Sequence, residues 1–189
     1  MVSDIARDAS QPRPDNHERF QAIFEAHQRQ VLAYAIRRLS DPFDAEDVAA
    51  ETFTIAWRRI ALSPEPEKAL PWLFGIARRV IANHRRSIVR RLRLALRFGS
   101  EIVQPQSLRP VSPAIEALMR LTADDQELLR LLAWEQLTQT EAAAVLGTSP
   151  NAVAIRLNRA RHRFSEELAQ IRHEEGKRED ARSGAGDKQ

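Results

Sequence analysis

No cysteine occurs among the 189 residues of this chain. This absence excludes disulfides, thiolate nucleophiles, cysteine-ligated zinc and iron–sulfur clusters. Apolar runs are only a few residues long, far short of the ~20 that a spanning helix needs, so we expect no membrane insertion. The first residues, MVSDIARDASQPRPDNHER, contain no apolar segment typical of a secretory signal. We therefore expect a cytoplasmic protein without a metal site or a cofactor.

Lysine is also scarce. Only Lys68, Lys177 and Lys188 occur, so that arginine supplies the other 26 of the 29 basic residues. The guanidinium group suits phosphates and base edges, although genome composition can also favour arginine. Residues 41–51 carry five acids and no base, whereas residues 76–97 carry eight arginines and no acid. This segregation predicts one surface for nucleic acid and another for a different partner.

The first half of the chain has the periodicity of three helices and no strand alternation. Apolar residues recur at helical spacing over 17–40, and the dipeptide Asp41-Pro42 ends that helix. Asp44 is the expected N-cap of the second helix. The proline-containing segment 61–70 predicts a loop, and the third helix is expected over Pro71–Arg86.

The fold class expected is all-α, with two small helical domains joined by a flexible linker. In the second domain, helices are predicted near 113–120, 123–135, 139–146 and 150–171. The full division is a disordered N-terminal arm at 1–16, a helical domain at 17–88, a linker with a helical start at 89–112, a second helical domain at 113–171 and a disordered tail at 172–189.

The most informative motif is TQTEAAAVLGTSPNAVAIRLNRARHRF at residues 138–164. Thr138 and Glu141 have the spacing of a capping box, and Gly147 stands where a helix end needs positive φ. Ser149 and Pro150 then form an N-cap and a first helical position. Helix, glycine-containing turn and helix in this order predict a helix-turn-helix, whose second helix enters the major groove of DNA.

The second helix of this motif has two different faces. Its predicted buried stripe is Val153, Leu157, Ala160 and Phe164. The residues predicted to face DNA or solvent are Asn151, Ile155, Arg156, Arg159 and Arg163. An ordinary helical hairpin with a solvated arginine face is the alternative interpretation.

Together, three segments resemble the extracytoplasmic-function group of bacterial RNA polymerase sigma factors, within the sigma-70 superfamily. They are AEDVAAETFTIAWRRI at 45–60, PWLFGIARR at 71–79 and the helix-turn-helix sequence ending at residue 164. The resemblance covers about residues 17–170. It implies that the two domains are region 2-like and region 4-like, and that the chain directs transcription initiation without catalysis of its own.

The resemblance also implies partners. These are core RNA polymerase (the clamp of its largest subunit and the flap of its second-largest), promoter DNA and an anti-sigma factor. The implied polymerase-binding residues are Glu46, Asp47, Glu51, Phe53 and Trp57. Two alternatives stay open: the acids can serve as helix caps, and Phe53 can belong to the core.

For the −10 promoter element, the resemblance implies Ser63, Lys68, Trp72, Arg78, Arg79, Asn83, Arg85 and Arg86. A melted strand calls for stacking surfaces and positive charge, which these residues offer; Trp72 has a core role as its alternative. For the −35 element, the implied residues are Thr138, Ser149, Asn151, Ala152, Ile155, Arg156 and Arg159. Arg90, Arg91, Arg93 and Arg97 in the linker are either a frayed basic helix end or a tether through a polymerase channel.

Several positions depart from the family pattern. Ala50, Arg79 and Asn83 replace the usual Gln, Asn and Asp, which adds positive charge on the −10 side. Ala152, Ala154 and Ile155 replace Thr, Lys and Ser in the recognition helix. These replacements remove phosphate contacts. Each lost contact reduces the slope of log K against log salt concentration by ~0.9. Ile155 can instead contact a thymine methyl group.

Two other classes of function are weighed against this one. A self-sufficient helix-turn-helix repressor or activator needs a dimer interface, and the sequence shows no heptad seam for one. An enzyme needs a catalytic site, and the chain has five scattered histidines, no cysteine and no glycine-rich phosphate loop. His162 and His173 are too far apart for an i, i+4 metal pair.

Overall fold

A computed structural model describes residues 14–97 and 112–185, with side chains at 16–91 and 112–177. Within these ranges the chain forms seven α-helices, one 3-10 helix and no strand. The helices are α1 (Pro14–Ile36), α2 (Pro42–Arg58), α3 (Pro66–Arg97), α4 (Pro113–Arg120), α5 (Ala123–Ala133), α6 (Gln139–Leu146) and α7 (Pro150–Ala185), and the 3-10 helix covers Ile60–Leu62. The chain divides into two units, Met1–Ile102 and Val103–Gln189. The expected all-α fold with two helical domains is confirmed.

In the first unit, α1 packs against both α2 and α3, and α2 packs against α3. One face of α2 is buried, with Val48, Phe53 and Ala56 in the core. Tyr34 of α1 is fully buried and stacks on Phe74 of α3, with 4.6 Å between ring centroids. Burying such large aromatic side chains supplies much of the stability of a small bundle.

The start of α2 differs from the expectation. Asp41, and not Asp44, is the N-cap: its carboxylate accepts a hydrogen bond from the Phe43 N–H at 2.9 Å, and Pro42 occupies the first helical turn. Asp44 lies inside that turn, 3.1 Å from Nε2 of His84 on α3. An aspartate followed by proline is a cap and a first helical residue as well as a helix breaker.

The start of α3 also differs. Segment 61–70 is not a loop throughout, because the 3-10 helix covers Ile60–Leu62 and α3 begins at Pro66. Pro71 therefore lies within the helix. Its missing N–H leaves only the Glu67 carbonyl without its usual helical donor, and burial of Ala69 favours continuing the helix through this segment.

The second unit follows the predicted pattern closely. Thr138 and Glu141 form the capping box, Gly147 has φ 67°, and the Ser149 hydroxyl accepts from the Ala152 N–H at 3.2 Å. Leu128, Ala143, Val153 and Leu157 form a buried cluster that joins α5, α6 and α7. The helix-turn-helix geometry is thus present.

The last helix is longer than expected. Residues 172–185 continue α7, so the expectation of disorder from Arg172 is wrong for this segment. Ile171 is buried, and Arg120 of α4 lies 3.5 Å from Glu174, which together hold α7 past residue 171. Likewise α3 extends into the predicted linker as far as Arg97. Residues 1–13, 98–111 and 186–189 lie outside the described residues, as do the side chains of Arg93 and Arg97.

Gly147→Ala should lower the free energy of unfolding by about 1–2 kcal/mol, because an L-residue is strained in the left-handed conformation. A Cβ at this position would meet no neighbour within 4 Å, so the loss would be conformational only. Gly176→Ala is the matched control: Gly176 lies inside α7, and alanine there should raise stability by up to ~1 kcal/mol. Urea unfolding followed by circular dichroism measures both; equal stabilities would contradict the assignment.

Candidate polymerase and nucleic-acid interfaces

An apolar groove lies between α1 and α2 of the first unit. Its volume is about 860 Å³, and its lining consists of His17, Phe20, Phe24, Gln28, Leu32, Glu46, Ala49, Ala50, Phe53, Thr54 and Trp57. The aromatic rings contact one another edge to face: Phe20 lies 5.1 Å from Trp57, and Phe24 lies 4.8 Å from Phe53. Phe24 remains 37% exposed, so that the groove is open to a partner.

Acidic side chains border this groove. Glu46 is four, seven and eleven residues before Ala50, Phe53 and Trp57, so these residues share one face of α2. Asp47 and Glu51 form the adjacent row and are exposed. Among the described side chains of residues 16–91, the carboxylates of all three acids make no hydrogen bond or ion pair.

A basic face runs along α3. Lys68, Trp72, Arg79, Arg86 and Arg90 recur at helical spacing on the side opposite the buried Ala77 and Ile81. All of these except the half-buried Trp72 are exposed. Since residues 76–97 contain no acid, this face has uncompensated positive charge.

The recognition helix α7 has an exposed face in the second unit. Asn151, Ala152, Ile155 and Arg159 are exposed, and Ile155 is 50% accessible. The predicted buried stripe is confirmed, with Val153, Leu157 and Ala160 buried and Phe164 half-buried. An apolar pocket of about 240 Å³ is formed elsewhere in this unit by Ala114, Ile115, Leu118, Leu129, Ala133, Trp134 and Phe164.

The chain matches two family models. Residues 23–91 match Sigma-70 region 2, and residues 113–164 match Sigma-70, region 4. NccH, an RNA polymerase sigma factor of Alcaligenes xylosoxydans, is 30% identical over 77% of this chain and 84% of its own length. The chain belongs to the sigma-70 family of RNA polymerase sigma factors.

Other relatives place this sigma factor in the extracytoplasmic-function group. The sigma factor SigC of Mycobacterium tuberculosis, which carries that description, is 31% identical over 77% of this chain and 81% of its own. A probable sigma factor of Xanthomonas campestris, RfaY, is 33% identical over 78% of this chain but only 40% of its own length. The predicted family is thus confirmed.

Two solved structures share the fold. The sigma factor RpoE of Bartonella quintana, bound to the anti-sigma factor NepR, has a TM-score of 0.62 at 25% identity, covering 79% of this chain and 96% of RpoE. CnrH, bound to the cytosolic domain of CnrY, has a TM-score of 0.55 at 29% identity, covering 80% of this chain and 88% of CnrH. As a member of this family, the chain acts as a transcription initiation factor.

Several predicted site residues of this sigma factor have structural contacts. Phe53 is buried at the floor of the groove, in agreement with the core alternative. Ser63 is buried too, and its hydroxyl has no partner among the described residues. Arg19 donates to the Ser63 and Pro64 carbonyls at 2.8 and 2.9 Å, which holds this segment against α1. The Ser63 side chain is therefore not on the surface where DNA contact was expected.

Predicted nucleic-acid contacts are also partly engaged within the protein. Arg85 donates to the Arg38 carbonyl at 2.7 Å, just beyond the C-terminal end of α1. Arg86 donates to Asn83 on the same helix. In α7, Arg156 lies 2.9 Å from Asp124 of α5, so it does not simply face outward. The Thr138 hydroxyl is held by Glu141, from which it accepts and to which it donates.

Sequence reasoning missed two features of this sigma factor. Arg38, just beyond the end of α1, is buried with its guanidinium 3.4 Å above the Tyr34 ring. The two residues are only four apart in the chain, so local spacing could have indicated this cation–π contact. Asp125, in the first turn of α5, is buried and pairs with Arg163.

In the described parts of the chain, no three or more His, Asp or Glu side chains are grouped to hold a metal ion. No helix in those same parts combines the length and apolarity that crossing a membrane requires.

Arg85→Ala should lower the free energy of unfolding by about 1 kcal/mol, because it removes a charge-assisted hydrogen bond to the end of α1. Arg79→Ala is the matched control: Arg79 is exposed on the same helix, and its loss should change stability by no more than about 0.5 kcal/mol. Thermal unfolding of the full chain compares them. Equal effects of the two substitutions would show that the Arg85 contact contributes nothing to the fold.

Proposed function

We propose that this sigma factor is a dissociable specificity subunit without catalysis of its own, which acts in the cytoplasm. It binds core RNA polymerase through α2, opens the −10 element along α3, and holds the −35 element with α7. The observation that carries this proposal is the order of three different surfaces along the chain: an acid-bordered apolar groove, an acid-free basic face and a helix-turn-helix.

The polymerase contact rests on the groove and its acids. Because Asp41 caps α2, Glu46 and Asp47 are not needed as caps, and within the described side chains they have no partner. Unpaired carboxylates beside an open apolar groove suit a helix that carries both basic and apolar residues. The family resemblance implies that this partner is the clamp of the largest polymerase subunit. Trp57 contributes the half-buried wall of the groove.

The −10 contact rests on the basic face of α3. Lys68, Arg79, Arg86 and Arg90 offer positive charge to a phosphate track, and the half-buried Trp72 offers part of an aromatic surface. A melted strand binds through these two kinds of contact. Arg78 lies beside this face, and Arg85 stabilises α1 as well as adding charge.

The −35 contact rests on α7. Arg159 is exposed and, within residues 112–177, unpaired, and Ile155 offers an apolar surface for a thymine methyl group. Asn151 and the Ser149 hydroxyl are exposed at the start of the helix, where phosphates are favoured. We assign the apolar pocket that includes Trp134 to the flap of the second-largest subunit, which the family resemblance implies as a partner.

An anti-sigma factor is a further proposed partner. The support is that the related RpoE structure contains one, together with the resemblance to the extracytoplasmic-function group. A self-sufficient repressor is the rival function, and it differs in one property: it binds duplex DNA tightly without polymerase.

Glu51→Lys should weaken binding to core polymerase by about tenfold, or ~1.4 kcal/mol, because it places like charge where a basic partner docks. Asp47→Lys should act in the same way. Glu175→Lys in α7 is the matched control, with the same charge change at an exposed position in the other unit. Fluorescence titration of labelled chain with core enzyme gives the affinities. Unchanged affinity in both α2 variants would reject α2 as the polymerase contact.

Arg79→Ala and Arg86→Ala should impair promoter melting more than polymerase binding, because they remove charge from the strand-binding face. For open-complex formation, each substitution should reduce the slope of log K against log salt concentration by about 0.7. This is the value for one phosphate contact to a single strand. Permanganate reactivity of thymines in the holoenzyme–promoter complex reports melting, with Arg172→Ala as the control. Normal melting together with reduced polymerase affinity would reverse the assignment.

A further inference from the structure

Three arginines share one face of the recognition helix. Arg156, Arg159 and Arg163 stand at i, i+3 and i+7 of α7, which places them on successive turns. Two of the three pair with carboxylates in the first turn of α5: Arg156 with Asp124, and Arg163 with Asp125. The positive charge available to DNA is therefore smaller than the sequence of α7 suggests.

The two carboxylates differ in their surroundings. Asp125 is 3% exposed, pairs with Arg163, and lies 3.9 Å from Nε of Arg156. It also follows the N-cap Thr122, whose hydroxyl accepts from the Asp125 N–H at 3.3 Å. Buried at a helix N-terminus and paired across to α7, Asp125 joins the two helices. Its role is structural.

Asp124 is in contrast a surface residue. Its side chain is 69% exposed and contacts Nη2 of Arg156 at 2.9 Å, while the Arg156 side chain is 37% exposed. Exposed ion pairs of this kind contribute only ~0.2–1 kcal/mol. A DNA phosphate offers the same charge-assisted hydrogen bonds to a guanidinium and can replace Asp124.

We propose that Asp124 weakens DNA binding by α7 by competing with DNA phosphates for Arg156, so that duplexes of any sequence are bound less tightly. The inference rests on the proposed role of α7 at the −35 element. On any duplex, a phosphate must displace the Asp124 carboxylate before Arg156 can neutralise the charge of that phosphate. Contact of Arg156 with arbitrary phosphates is thereby made less favourable, while Arg159 remains available.

Asp124→Asn should tighten binding to a random-sequence duplex by about twofold to fivefold, the value of one exposed ion pair. It should also steepen the dependence of log K on log salt concentration by about 0.9, which is one added phosphate contact. Fluorescence anisotropy of labelled duplex with the full chain, over a series of potassium chloride concentrations, measures both. A gain of affinity is not expected from loss of a merely structural contact.

Control variants isolate the pair. Glu116→Gln makes the same change in net charge on α4, where Glu116 pairs with Arg120, and should leave DNA binding unchanged. Asp124→Glu should restore wild-type binding. In an Arg156→Ala background, Asp124→Asn should have no effect.

Three results would overturn the inference: Asp124→Asn leaves binding unchanged, Asp124→Asn weakens it, or the gain persists without Arg156. Arg159→Ala separates this failure from a failure of the proposed function. If Arg159→Ala weakens duplex binding while Asp124→Asn does nothing, α7 binds DNA and only the role of Asp124 is rejected. If Arg159→Ala also does nothing, both proposals are rejected.

Discussion

The partner of each arginine side chain decides which surfaces of this protein are free to bind. Arg19 and Arg85 donate to backbone carbonyls and hold the first unit together, and Arg163 pairs with the buried Asp125 in the second. A buried carboxylate without such a partner would be strongly destabilising, so Arg163 is committed to the fold. The exposed arginines that remain for nucleic acid include Arg79, Arg86 and Arg90 on α3 and Arg159 on α7.

Helix starts were predictable wherever the capping residue could be recognised from local sequence alone. The capping box of Thr138 and Glu141, the positive φ of Gly147 and the Ser149 cap all depend on neighbours within a few residues. For this reason the helix-turn-helix and the boundaries of α4, α6 and the start of α7 followed from the sequence. The same rule applied to Asp41-Pro42 would have predicted the true start of α2.

Contacts between distant residues could not be predicted in this way. The exposure of Arg85 and Arg156 depends on partners 47 and 32 residues away in the chain (Arg38 and Asp124), and no periodicity on α3 or α7 reveals them. Ser63 looked like a loop residue because its burial depends on how α1 passes it. The extension of α7 to Ala185 likewise depends on packing against α4 and on the contact between Arg120 and Glu174.

The central claim is that the two units work together on polymerase. It is tested most directly by mixing the purified chain with core RNA polymerase, measuring the native mass of the product and assaying run-off transcription from a promoter library. The account predicts a one-to-one complex that initiates at specific promoters with −10 and −35 elements, whereas the chain alone binds duplex DNA weakly. Absence of a complex, together with tight duplex binding by the chain alone, would contradict it.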